Sequence, residues 1–282
     1  MKVKQKIGIA AIRLKFKLLA IVSPKKTAEK AFELFCTPLD KQKLVKPSTF
    51  HTGTELSFTL NGHHIVGHKW GDNAQNRVLI LHGFSSASYK FHKYVHPLLL
   101  KNFEVLAFDA PAHGNSGGNT VNAVEYCQMI EMVIKKYGPI KNFIAHSFGG
   151  IALSLAMERI EHTAATKIVF IAPATETTTA IDMAFNLLQI KSIKIRRYFD
   201  DVIYTRSGKK TSWFSVNRAI KNIKATILWI HDEDDDITPL KDTLPTQHAH
   251  LPNVQFLITQ GLGHRRIYHS KKVMDAIITF LN

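Results

Sequence analysis

The chain has 282 residues, 45% of them hydrophobic and 21% charged, which is enough apolar material for one sizeable core and excludes a disordered or fibrous protein. Its two cysteines, Cys36 and Cys127, both lie in apolar stretches; they exclude a disulfide framework and point to a reducing compartment such as the cytoplasm. The formal net charge of +15 is concentrated: residues 1–46 hold 12 Lys and Arg against 3 acidic residues, residues 176–224 hold 10 against 4, and the remainder balances.

Residues 1–6 are basic and 7–22 largely apolar, but Arg13, Lys15 and Lys17 interrupt the run. It therefore falls short of the roughly 20 uncharged apolar residues that a membrane-spanning helix needs. At about 100° per residue, Lys2, Lys6, Arg13 and Lys17 share one arc, and Ile7, Leu14, Leu18 and Ile21 share another. A basic amphipathic helix of this kind fits a peripheral contact with an anionic membrane surface through residues 1–22. It equally fits a helix docked on the main domain. A cleaved signal is the weakest reading, because no clear cleavage site follows. Pro24 is expected to close this helix. Residues 26–36 keep helical spacing up to Pro38, and 41–53 read as a linker. Residues 1–50 thus form an N-terminal basic helical segment ahead of a main domain over 51–282.

From residue 55 the pattern changes to alternating strand and helix. Residues 55–60 and 64–70 alternate apolar and polar around Asn61-Gly62, the strongest short-range hairpin signal. Apolar strands follow at 78–81, 103–108, 142–145 and 167–171, separated by helical stretches at 88–100, 121–137 and 147–160. Residues 174–222 break the rhythm; they are basic and helix-like in pieces. Strands resume at 225–230 and 254–258, with a helix after Pro239 and a final helix over 270–281. The expected fold is α/β, a mostly parallel eight-stranded sheet with helices on both faces. A helical lid insert at about 174–222 and the extra N-terminal helical segment complete it. Such an insert starts at the sheet end where open α/β sheets bind ligands.

Ser147 stands between a strand and a helix in Asn142-Phe-Ile-Ala-His-Ser-Phe-Gly-Gly150. A serine hydroxyl is a weak nucleophile and needs geometric help. A sharp strand-to-helix turn lifts it above the sheet, requires small neighbours, and places helix N–H groups near a developing oxyanion. The same pattern also fits a serine that merely caps the helix.

Four blocks, in order and each at a strand end, make the chain resemble the α/β-hydrolase family over roughly residues 55–282. These are Ala145-His146-Ser147-Phe148-Gly149, His82-Gly83-Phe84, Asp109-Ala110-Pro111-Ala112-His113-Gly114-Asn115-Ser116, and the pair of turns His231 to Pro239 and Gly261-Leu262-Gly263-His264. The resemblance implies a catalytic triad of Ser147, Asp235 and His264. Asp235 is selected among the five carboxylates of 232–236 by counting back from Pro239. It also implies an oxyanion hole built from the N–H groups of Phe84 and Phe148. Ala145, Ala112 and Asp232 stand where the family has glycine, and the other acids of 232–236 are expected to be solvated.

The activity implied is that of a serine esterase, lipase or thioesterase acting on a small-molecule acyl ester or thioester, lipid-like acyl groups among them, through an acyl-enzyme. No cofactor and no metal are expected. His64/His68 lie in a strand that holds the rings apart, and His92/His96 have no third ligand. No recognisable nucleic-acid module accompanies the basic segments, so no specific nucleic acid is expected. An acyltransferase using the same triad, and a non-catalytic ligand-binding or scaffold protein of this fold, are the alternatives.

Overall fold

The computed structural model describes residues 3–38, 47–73 and 75–282, the side chains of 3–7 excepted. Its strands are β1 (Thr54–Leu60), β2 (His63–Trp70), β3 (Arg77–Leu81), β4 (Glu104–Phe108), β5 (Asn142–His146), β6 (Lys167–Ile171), β7 (Thr226–Asp232) and β8 (Val254–Thr259). The helices begin with α1 (Val3–Val22), α2 (Pro24–Phe35), α3 (Ser48–His51), α4 (His92–Leu100), α5 (Ala123–Tyr137) and α6 (Phe148–Met157). They continue with α7 (Thr177–Leu188), α8 (Ile193–Ser207), α9 (Val216–Ala219), α10 (Leu244–His248), α11 (Gly263–Arg266) and α12 (Lys271–Leu281). The chain divides into two compact units, one of residues 1–37 with 176–214 and one of residues 38–175 with 215–282.

The larger unit is the sheet. Its eight strands run in the order β1-β2-β4-β3-β5-β6-β7-β8. β2 is antiparallel to both β1 and β4, and the remaining pairs are parallel. The hairpin between β1 and β2 turns on Asn61 and Gly62, both at positive φ (50° and 78°), the conformation an Asn-Gly turn favours. The central parallel strands are solid apolar runs because both faces are covered. Val78, Ile80, Ile144, Val169 and Ile230 pack in one cluster with Tyr94, Leu98, Val273 and Ile277 from α4 and α12. The alternate residues Leu79, Leu81, Phe143, Phe170 and Trp229 point to the opposite face and are fully buried. Each such side chain contributes about 1.5–3 kcal/mol on removal from water, so the strand ends around Ser147 rest on a stiff base.

The smaller unit joins α1 and α2 to α7 and α8, so the N-terminal helices and the insert form one body. Phe199 of α8 is its centre, with ring centroids 5.7 Å from Phe32, 6.0 Å from Phe35 and 5.2 Å from Phe185. Arg13 of α1 donates from Nε to the Leu187 carbonyl at 2.8 Å, near the end of α7. Arg196 is paired with Asp182.

Pro24 does more than stop α1. It occupies the first turn of α2 behind the cap Ser23, where its missing N–H is no loss. Within the expected linker, 48–51 form a helical turn, α3, while 41–46 lie outside the described residues. The helix expected from 88 begins as a 3-10 turn at Ser88–Phe91 before α4.

Candidate active site

β5 is buried along its whole length and delivers Ser147 at its carboxyl end. Ser147 has φ 52° and ψ −117°, a left-handed backbone conformation that a residue with a Cβ adopts only under constraint. The constraint is visible in the neighbours. Ser147 N–H donates to the Ile171 carbonyl (3.1 Å), and its own carbonyl accepts from Gly150 (2.9 Å) and Ala174 (2.9 Å). A Cβ at Gly149 would lie 2.8 Å from the His82 carbonyl oxygen and 2.9 Å from that of Leu81. One at Gly150 would lie 2.6 Å from Pro173 Cβ. The turn therefore closes only with glycine at both places.

His264 and Asp235 meet Ser147 at this end. Ser147 Oγ lies 2.9 Å from His264 Nε2, and His264 Nδ1 lies 2.8 Å from Asp235 Oδ2. All three residues are buried, at 6–8% exposure. A carboxylate only accepts, so Nδ1 carries the imidazole proton and Nε2 is left to accept from the serine hydroxyl. Asp235 Oδ1 accepts from the N–H groups of Ile237 (2.9 Å) and Thr238 (2.8 Å). Burial pushes the Asp235 carboxyl up, but the His264 hydrogen bond and charge and these two N–H groups outweigh it and hold it below its ordinary value.

Two residues to which the sequence reading gave no part in the site support this arrangement. Thr238 Oγ donates to Asp235 Oδ2 (2.9 Å), lies 3.1 Å from His264 Nδ1 and 3.2 Å from the Ala172 carbonyl. Asp232, expected to be a solvated acid in a glycine's place, is instead fully buried at the end of β7. Its oxygens accept from Thr259 Oγ (2.6 Å) and from the N–H groups of Asp234 (3.1 Å), Leu262 (3.1 Å) and Gly263 (2.8 Å). The loop bearing His264 is thus tied to the end of β7, three residues ahead of Asp235. Asp232 has no positive φ, so this turn does without the glycine conformation. Asp234 also accepts, from Gly261 N–H at 2.8 Å.

The His82-Gly83 segment passes directly against Ser147: a Cβ on Gly83 would lie 2.9 Å from both Ser147 Cβ and His146 Nδ1. His82 Nδ1–H donates to Gly83 O (2.8 Å) while Nε2 accepts from Ala110 N–H (2.9 Å). Burial holds its pKa down at about 4, so the ring is neutral near pH 7. Ser85 N–H donates to His113 Nε2 (2.9 Å). Phe84 lies between these two anchored residues, its ring 5.5 Å from that of Phe148. The Phe148 N–H is the first of α6, where no intrahelical acceptor exists.

Asp109 holds the neighbouring loop, accepting from Ser88 N–H (2.8 Å) and Asn115 N–H (2.9 Å). Ala112 in that loop sits at φ 65° where the family carries glycine. His146 is buried with its Nε2 3.1 Å from the His264 carbonyl, and burial, then the neighbouring His264, hold its pKa well below the usual imidazole value. Among the described residues no cluster of three or more His, Cys, Asp or Glu could hold a metal ion.

Fold and site together define a class, and comparison with known proteins agrees. The profile of the alpha/beta hydrolase family matches residues 78–276, and the chain belongs to that family. A Mycoplasma pneumoniae protein named "Putative esterase/lipase 2" is 24% identical over 242 residues, covering 74% of this chain and 90% of that one. The esterase Pf2001 of Pyrococcus furiosus superposes with a TM-score of 0.65 at 17% identity, covering 87% and 97%. The thioesterase domain from the curacin biosynthetic pathway superposes with a TM-score of 0.57 at 12% identity, covering 81% and 98%.

Proposed function

We propose that the protein is a serine hydrolase that cleaves a carboxylic ester or thioester through an acyl-enzyme. The observation that carries this reading is the unbroken contact series Ser147 Oγ to His264 Nε2 to His264 Nδ1 to Asp235 Oδ2, at 2.9 and 2.8 Å. In it, Ser147 Oγ attacks the carbonyl carbon while His264 Nε2 takes the hydroxyl proton. Asp235 fixes the tautomer and stabilises the imidazolium without taking its proton. The N–H groups of Phe84 and Phe148 receive the developing oxyanion. His264 then protonates the departing alkoxide or thiolate. A water, deprotonated by the same ring, attacks the acyl carbon, and the acid leaves with Ser147 Oγ reprotonated. No step calls for a cofactor.

The insert over 176–214 joins β6 to β7 and leaves the sheet unit at Thr175, one residue past Ala174, which is bonded to the Ser147 carbonyl. That connection supports a lid-like role in selecting the acyl group, with longer, lipid-like chains preferred over acetate.

The test is labelling by a fluorophosphonate, followed by a panel of acyl esters and thioesters with and without an alcohol acceptor. Wild type is expected to label and turn over, and Ser147→Ala to do neither, losing at least about 10⁴-fold in rate. Efficient transfer to the alcohol would assign an acyltransferase instead. Ligand binding that is unchanged in Ser147→Ala, with no turnover in wild type, would overturn the catalytic reading.

A further inference from the structure

The helix α1 is apolar on two opposite sides, and among the described residues only one of them is packed inside its unit. Ile12, Phe16 and Leu19 face α2 across a groove shared with Leu34, and Phe16 is buried. At about 100° per residue, Leu14, Leu18, Ile21 and Val22 fall on the far side. These four are exposed by 59, 57, 77 and 82%. Lys15 and Lys17, both exposed, border this stripe on either side. Lys25 and Lys26 follow in the first turn of α2 and are exposed too. A solvated helix has no reason to carry four large apolar residues outward, and contiguous exposed apolar surface with a polar rim marks an interaction site.

We infer that this face of α1 is a docking surface for a bilayer containing anionic phospholipid, with the helix lying in the interfacial plane. Charge selects the occupant. Residues 1–37 carry nine Lys and Arg against two Glu, and residues 176–214 carry seven against four acids, so the unit holds ten of the chain's fifteen excess positive charges. Two copies meeting through such a unit would repel each other. A nucleic acid would meet the lysines but leave the apolar stripe in water. An anionic leaflet satisfies both, taking the stripe into its acyl boundary and the lysines at its phosphates. Among the described residues no helix is long and apolar enough to cross a membrane, which agrees with a helix that rests on the surface rather than spanning it. This inference stands independently of the hydrolase reading.

The test uses the full chain and sedimentation with vesicles of phosphatidylcholine alone or with about 30 mol% phosphatidylglycerol, the latter supplying the anionic surface. Wild type is expected to sediment with the anionic vesicles, and to bind at least tenfold more weakly to the neutral ones. Leu18→Ser with Ile21→Ser should weaken binding about 100-fold, roughly tenfold for each side chain no longer buried in lipid. Lys15→Glu with Lys17→Glu should erase the preference for phosphatidylglycerol. Leu100→Ser, an exposed leucine of the sheet unit (73%), should bind as wild type. All these positions are exposed, so melting temperatures should stay at the wild-type value and separate lost docking from lost folding. The inference is overturned if wild type stays in the supernatant with anionic vesicles, or if the Leu18/Ile21 variant binds them as wild type does. It is also overturned if the stripe instead drives self-association or RNA binding without any vesicle binding. Fluorophosphonate labelling run in parallel reports on the hydrolase proposal separately.

Discussion

Removing the Asp232 carboxylate should unfasten the loop that carries His264. In Asp232→Ala four hydrogen bonds disappear together, those from Thr259 Oγ and from the N–H groups of Asp234, Leu262 and Gly263. Hydrogen bonds to an ionised group contribute about 1.5–3 kcal/mol each, but burying the carboxylate offsets a good part of the sum. A net loss of about 3 kcal/mol is the expected outcome, read by urea denaturation. Asp232→Asn keeps acceptor oxygen but not the charge, and should lose about half as much. The loss should also appear in chemistry, because the Leu262 and Gly263 amides immediately precede His264. A displacement of its ring by about 1 Å would slow fluorophosphonate labelling about 100-fold. Stability within about 0.5 kcal/mol of wild type in Asp232→Ala, with the labelling rate unchanged, would refute the idea that this carboxylate positions the histidine loop.

Ala112→Gly should stabilise the protein by about 1 kcal/mol, seen as a rise in melting temperature, because alanine at φ 65° is strained where glycine is not. Thr238→Val should lower kcat about tenfold with little change in KM, since it deletes the hydroxyl donating to Asp235 Oδ2 while keeping the side-chain shape. Stability should fall with acid below pH 6.5. The unfolded chain protonates His82 at 6.5, whereas burial keeps the folded ring neutral down to about 4. The unfolded state therefore binds more protons across that window, and folding loses about 3 kcal/mol from this group as pH drops through it. Denaturation midpoints at pH 7, 5.5 and 4 measure this effect, and His82→Gln should remove one proton's worth of the slope.

The sheet was legible because each strand is a local pattern, alternating in β1 and β2 and solidly apolar in the central parallel strands, and the hairpin and helix boundaries have their own punctuation, as at Asn61-Gly62 and Ser23-Pro24. Ser147 was legible locally, by its place between a strand and a helix among small residues, whereas His264 was legible only through the family resemblance, since a loop histidine between Gly263 and Arg265 carries no such signal by itself. Asp232 was not, because its partners Thr259, Leu262 and Gly263 are far along the chain, and a carboxylate within 232–236 reads as solvated until β7 and β8 are paired. Thr238 carries no signal of its own, since its contacts to Asp235, Ala172 and His264 exist only once three loops converge. The union of 1–37 with 176–214 was hidden likewise. Amphipathic spacing tells that a helix has an apolar face, not what will cover it. A hint lay in the basic excess common to both segments.

That divided unit has a consequence for how the protein is made. Phe32 and Phe35 leave the ribosome long before Phe185 and Phe199, their partners in α7 and α8, exist. At synthesis rates of about 5–20 residues per second, the aromatic face of α2 waits roughly 8–30 seconds, while six strands of the sheet are laid down between. Through that interval α2 is sticky, and a chaperone or a nearby surface that shields it should raise the yield of native protein.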